Sequence, residues 1–170
     1  MITNAQSFLG AYGFESQTTS NVLGALNDAV LSQDKAPGHN MTVGDIAWHI
    51  ATAPIYILNQ VGFNIDAAKP EKPANLTAAQ IKSAYDAISA QVKEQAATKT
   101  PEDLSKVYHV FDMMDWPAGQ MLGILMHHEI HHRGQLSVLM RQAGLVLPSI
   151  YGPTHEMTVE KMKEQMAQQA

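Results

Sequence analysis

Cysteine is absent from the 170 residues. That excludes disulfides, thiolate nucleophiles and cysteine-rich zinc sites together, so any bound metal must be held by His, Asp or Glu. If thiol chemistry takes place on this chain, the sulfur arrives on a small molecule. Positive charge is scarce too: 11 Lys and Arg stand against 16 Asp and Glu, for a net charge of -5. The basic residues form no cluster, and phosphate contacts, which dominate nucleic-acid binding, need one. Apolar runs stop short of the roughly 18 to 20 residues that span a bilayer. Met1 to Gly10 lacks the basic and apolar regions of a secretory leader. The expected setting is cytoplasmic, with neither a membrane nor a nucleic-acid partner.

What is present is a normal globular balance, 45% hydrophobic against 16% charged residues, over a length that suits one domain, residues 1–170. Residues 5–33 read as helical with a break near Gly10 and Gly13, and Val22, Leu23, Leu26 and Val30 form a core stripe. Ala36 to His39 is a loop that leaves His39 exposed. Thr42-x-x-Asp45 is a capping box flanked by Met41 and Ile46 as a hydrophobic staple. The helix it opens buries Ile46, Ile50, Ala53 and Ile57, with Pro54 expected to kink it. A loop from Asp66 to Asn75 leads to a second box, Thr77-x-x-Gln80, and a helix burying Ile81, Tyr85, Ile88 and Val92.

Thr98 to Trp116 has no clear period, although Val107 to Phe111 suits a short extended piece. Asp115 is the expected N-cap of another long helix, with Pro117 early in it and Gly144 and Pro148 ending it. Residues 153–170 read as a more exposed helix with Met157, Met162 and Met166 on one packing side. The expected fold is all-α, a four-helix bundle with an additional C-terminal helix.

Four of the eight histidines fall in Met126-His-His-Glu-Ile-His-His-Arg-Gly-Gln135. At 100° per residue Met121, Leu125, His128, His132, Leu136 and Leu139 lie within roughly 40° of one direction. His128 and His132 therefore project from adjacent turns into the bundle, while His127 and His131 point elsewhere. Two imidazoles on one apolar stripe are costly unless something binds them, which points to a metal. A catalytic site needs a third protein ligand and an open position. His49, on the margin of its helix's apolar face, is the best third candidate. A structural role for it is equally open on periodicity alone. Asp45, one turn earlier, could accept from its ring N–H.

His128-Glu129-x-x-His132 also matches the zinc-peptidase pattern in which the glutamate is general base. The extended form of that pattern needs Gly and His where Gln135 and Val138 stand; another form needs a downstream acid such as Glu156 or Glu160. The short chain and the lack of a substrate-binding sheet count against a peptidase.

The longer pattern His128-x-x-His131-His132-Arg133-Gly134-Gln135-Leu136, then Leu139-x-Arg141-x-x-Gly144, resembles the DinB/YfiT-like family of small bacterial helical proteins. Thr42-Val-Gly-Asp-Ile-Ala-Trp-His49-Ile resembles that family's motif on the second helix. The resemblance implies a four-helix bundle holding a divalent metal, zinc or nickel, on His49, His128 and His132. It also implies a homodimer and a small-molecule substrate. Characterised relatives include S-transferases and isomerases that use a low-molecular-weight thiol, such as bacillithiol, mycothiol or a glutathione-like compound; a related hydrolase and a non-catalytic metal- or ligand-binding protein are the alternatives. Glu129 and His131 are candidates for acid–base catalysis, Glu129 being equally suited to a surface salt bridge. Gln135 and Arg133 are candidates for cofactor binding near the metal.

Overall fold

The computed structural model describes residues 1–34, 41–65 and 70–168. The expected loop around His39 lies outside them, as does the start of the loop expected from Asp66.

Asn4 opens helix α1 (Ala5–Gly24) by accepting from the Ser7 N–H at 3.1 Å. The helix is continuous through Gly10 and Gly13, contrary to the expected break, and ends at Gly24 rather than at 33. A lone glycine costs about 1 kcal/mol in a helix. Burial of Phe8 and Tyr12, stacked at 5.0 Å on either side of Gly10, outweighs that. Residues 28–30 add one 3₁₀ turn.

Helix α2 (Val43–Leu58) starts at the predicted capping box: Thr42 N–H donates to Asp45 at 2.8 Å and Asp45 N–H donates to Thr42 at 3.2 Å. Met41 is exposed, while Pro54 sits inside the helix without ending it. Helix α3 (Ala78–Ala97) starts at the second box, Thr77 and Gln80.

The unreadable segment contains a short helix α4 (Pro101–Ser105), opened by a third box, Thr100 and Asp103. An antiparallel hairpin follows, β1 (Val107–Val110) with β2 (Met114–Pro117). Asp115 is thus a strand residue opposite His109, and Pro117 takes the N-cap position of helix α5 (Ala118–Gln142). Gly144, at φ +80°, ends α5, and the Leu145 N–H returns to the Met140 carbonyl at 2.9 Å. Helix α6 (His155–Gln168) buries no residue. Met157, Met162 and Met166 are exposed, so they form no packing stripe. At 100° per residue Met157 stands about 140° from Met162, off the side that Met162 and Met166 share.

The four long helices form a ring in which α1 and α2 each pack against both α3 and α5. The core has two apolar layers. One holds Phe8, Tyr12, Leu58, Ile88, Val92 and Leu125; the other holds Val22, Leu23, Ile46, Ile81, Leu136 and Met140. Along α1 and α5 the first layer comes first, and along α2 and α3 it comes last. So α1 and α5 run one way and α2 and α3 the other, which makes the consecutive helices α2 and α3 parallel. Between the layers lie the buried polar residues Ser16, Thr19, Thr52, Glu129 and Arg133. The histidines of α5 sit at the same level, between Leu125 and Leu136. The site belongs to a polar mid-layer of the bundle.

Gly119 shows how tightly the hairpin end is closed. A Cβ added there would lie 1.8 Å from the carbonyl oxygen of Ile2, which accepts nothing from this glycine but belongs to a residue whose own N–H bonds the Gly119 carbonyl at 3.1 Å. Gly119→Ala is therefore expected to expel the N-terminal segment, lowering the melting temperature by several degrees in calorimetry, the size of a roughly 1–3 kcal/mol overpacking loss. Unchanged melting would refute that close approach.

Candidate metal centre

His49 reaches the site from the second turn of α2; His128 and His132 reach it from consecutive turns of α5. Their ligand atoms all lie within 4.8 Å of one another, and each is half-buried. The ring centroids are 4.9, 4.7 and 4.4 Å apart for the pairs His49–His128, His49–His132 and His128–His132. The Nε2 atoms of His49 and His128 face each other at 3.1 Å. Nitrogens bound to one tetrahedral zinc at about 2.0–2.1 Å are about 3.3 Å apart. The pair is already at nearly that spacing.

Protonation suits the same purpose. The Gln135 amide oxygen lies 2.8 Å from Nδ1 of His132, and an amide oxygen only accepts. His132 must carry its proton on Nδ1, which leaves the Nε2 lone pair for a metal. The other end of the same amide donates to Nε2 of exposed His131 at 3.1 Å. Burial, then the proximity of His132, His49 and His131, pushes the His128 imidazole down to about 4. At neutral pH it is uncharged, as a ligand must be. Its Nδ1 is buried without a hydrogen bond. These donors fit a divalent cation of the zinc or nickel kind, for which imidazole is a suitable ligand.

Gln135 and His131 thus join the triad by a hydrogen-bond chain. Glu129 and Arg133 lie on another side of α5. Glu129 is 2% exposed, not at the surface, and its Oε1 accepts from the Tyr85 hydroxyl of α3 at 2.5 Å. Burial raises its carboxyl pKa, against the pull of Tyr85, Thr19 and Arg133. Arg133 is 1% exposed, and its guanidinium donates to Glu15 at 2.6 Å, Thr19 at 2.9 Å and Tyr151 at 2.6 Å. These partners belong to α1 and to the segment before α6. Asp45 faces Thr42 and the Lys72 ammonium. Glu156 pairs with Arg141 at the surface, and the donor grouping contains only the three histidines among the described residues.

Periodicity missed the breadth of α5's buried face. On the same wheel Glu129 and Arg133 fall about 40° and 80° from Leu125, beside buried Leu122 and Met140. The helix is buried over both flanks: the histidines face α2 on one, and the Glu129–Arg133 side faces α1 and α3 on the other. That signal was in the spacing of Leu122 and Met140. An open concavity of about 520 Å³ lies beside His49, with Asp45, Trp48, Thr52, Tyr56, Glu71 and Lys72 also in its wall. Trp48 and Tyr56 carried no sequence signal as site residues.

A sequence profile described as the DinB family matches residues 1–166. The chain is 33% identical over 156 residues to the uncharacterised protein YrdA of Bacillus subtilis (strain 168), covering 92% of this chain and 93% of that one. A DinB-like protein from Bacillus cereus ATCC 10987 superimposes with a TM-score of 0.78 at 35% identity, over 89% of this chain and 100% of that one. The DinB-like protein YjoA of Bacillus subtilis shares the fold, with a TM-score of 0.67 at 19% identity, over 85% and 97% of the two chains. Among the described residues no helix is long and apolar enough to cross a membrane. With the profile spanning nearly its whole length, the chain belongs to the DinB family.

Proposed function

We propose that the protein holds a divalent metal on His49, His128 and His132 and transfers a group to or from a low-molecular-weight thiol. The observation that carries this is the convergence of three imidazole donors, one of them in a cavity wall. Three protein ligands leave a coordination position for an exogenous molecule, as catalytic rather than structural sites do. When bound, the metal would lower the pKa of a thiol placed in that position, supplying thiolate at neutral pH.

The residues around the triad have separate tasks in this reading. Gln135 fixes the His132 tautomer and ties exposed His131 to it. The thiol sulfur then bonds to an electrophilic carbon, whose leaving group departs with the bonding pair, and the thiol proton passes to solvent. Glu129, held by Tyr85 and buried, is poorly placed as the water-activating base of a peptidase, which counts against that reading.

Cobalt substitution tests the proposal. The chain has no cysteine, so any sulfur-to-cobalt charge-transfer band must come from added thiol. Glutathione or bacillithiol is expected to produce that band and to be consumed with an aryl halide electrophile. A cobalt spectrum that ignores millimolar-range thiol, together with no thioether product, would overturn it.

A further inference from the structure

The seam between α1 and α3 lies across the ring from the α2–α5 seam that carries the histidines. The two helices run antiparallel, and three contacts share one register. Asp28 accepts from the Ala78 N–H, Gly24 meets the Lys82 stem, and Ser20 meets Asp86. Each turn back along α1 is thus a turn forward along α3. Two turns beyond the Ser20–Asp86 pair, the same register sets Gly13 level with Lys93.

The two ends of the seam differ. Lys82 lies across Gly24, where an added Cβ would meet its Cε at 3.3 Å. Its ammonium is held by Asp86 at 2.5 Å and by the Ser20 hydroxyl at 3.1 Å. The other Asp86 oxygen accepts from Ser20 at 2.6 Å, so both oxygens of that carboxylate are engaged. At the far end a Cβ added to Gly13 would meet nothing within 4 Å. Lys93 is half-buried there, and among the described residues its ammonium makes no hydrogen bond or ion pair. A charge drawn out of water normally has a partner.

Between the ends is a cleft of about 310 Å³, walled by Ser16, Ser20 and Ser89 as well as the two lysines and Asp86. At about 30 Å³ per water it has room for roughly ten waters. Ser16 is 2% and Ser89 4% exposed. Their hydroxyls are held loosely: Ser16 donates to the Gly13 carbonyl at 3.4 Å and Ser89 to that of Asp86 at 3.2 Å. Ordinary hydroxyl bonds measure about 2.5–3.0 Å. Each can turn its proton toward a better acceptor.

We infer that this cleft is a second ligand site, and that its ligand is a phosphate group, inorganic or carried on a small metabolite. Lys93 supplies the charge, Ser16 and Ser89 supply hydrogen bonds, and Lys82 brings its remaining N–H from the opposite edge. Asp86 is the one acid in the wall. The cleft therefore carries one net positive charge, in a chain whose net charge is -5. A tetrahedral oxyanion has acceptors for all four donor groups; a carboxylate has only two oxygens. Lying across the bundle from the histidines, the site is separate from the proposed thiol chemistry.

The test is a titration of the metal-loaded protein with inorganic phosphate at constant ionic strength, read by the amide shifts of Gly13, Ser16 and Ser89. Saturable shifts are expected. Lys93→Met keeps the stem and should weaken binding at least about tenfold, the weight of one charge-assisted contact. Gly13→Leu should abolish binding by filling the space level with Lys93. Leucine is the better helix former, so that loss cannot be put down to misfolding. Lys161→Met, which removes an equal charge from exposed α6, should change nothing. Glycerol phosphate binding more tightly than phosphate supports the site with a metabolite as its ligand; equal binding supports it with the free ion. Absence of saturable shifts in the millimolar range overturns the site. Equal weakening by Lys93→Met and Lys161→Met does so too, since that is a general charge effect. A signal that survives Gly13→Leu but is lost in His128→Ala puts the phosphate on the metal and also overturns it.

Discussion

His128→Ala is expected to weaken zinc or nickel binding by at least about a hundredfold in competition titrations against a chelator. Apparent binding free energies of structural zinc sites with four ligands are about 10–16 kcal/mol at neutral pH. One ligand of three then carries roughly 3 kcal/mol, or about two decades of affinity. His128 is the ligand to remove because its Nε2 already faces that of His49 at 3.1 Å. The side chain is also uncharged at neutral pH, its pKa pushed down to about 4 by burial and by the neighbouring His132, His49 and His131. Gln135→Ala should act more mildly, by roughly ten- to a hundredfold, the usual cost of losing a group that orients a ligating histidine. Glu129→Gln should leave metal affinity alone, since its carboxylate is turned to Tyr85. The ranking matters more than any one value. Equal affinities for the parent protein and His128→Ala would remove the triad as the binding site.

Much of this arrangement is legible in the sequence because it is local. Thr42-x-x-Asp45 and Thr77-x-x-Gln80 cap their helices as read, and Gly144 ends α5 in a left-handed conformation that glycine adopts without strain. The i, i+4 spacing that separates His128 and His132 from His127 and His131 is likewise a property of one helix. The third box, Thr100-x-x-Asp103, was equally readable but opens a helix too short to show a period. Of the hairpin, the first strand was readable as the extended piece from Val107, but the turn and the pairing were not, for a different reason. The first of its two positive-φ turn residues, Phe111, is not one that positive φ selects, and the contact that holds it there comes from Gln60, 51 residues away.

The site divides along the same line. Periodicity chose two of the three clustered histidines; the third required knowing that α2 packs against α5, and for that the motif resemblance stood in. Arg133 shows the limit most clearly. A charged residue next to a metal ligand suggests a cofactor contact at the rim. Which flank of α5 it occupies depends on where α1 lies, and no feature of the motif records that.

Arg133→Ala is accordingly expected to destabilise the fold by about 3–5 kcal/mol in urea denaturation, the range for stripping one partner from a buried ion pair. The guanidinium is 1% exposed and reaches Glu15 at 2.6 Å, while the Tyr151 hydroxyl donates to the same carboxylate at 2.8 Å. Removing the arginine leaves the Glu15 charge with little solvent and one hydroxyl. Replacing both partners by apolar residues of similar volume, Glu15→Leu with Arg133→Met, should recover most of the loss, because neither charge then has to be desolvated. This pair of variants separates two roles. If Arg133 clasps α1 and the Tyr151 segment to α5, the double variant folds stably and still binds metal and thiol like the parent. If it grips a cofactor, the double variant is stable but loses thiol binding. A single Arg133→Ala change worth less than about 0.5 kcal/mol, the range of ordinary surface substitutions, would contradict the clasp. The geometry favours the first outcome, since among the described residues the guanidinium's hydrogen bonds go to α1 and to Tyr151, away from the histidines.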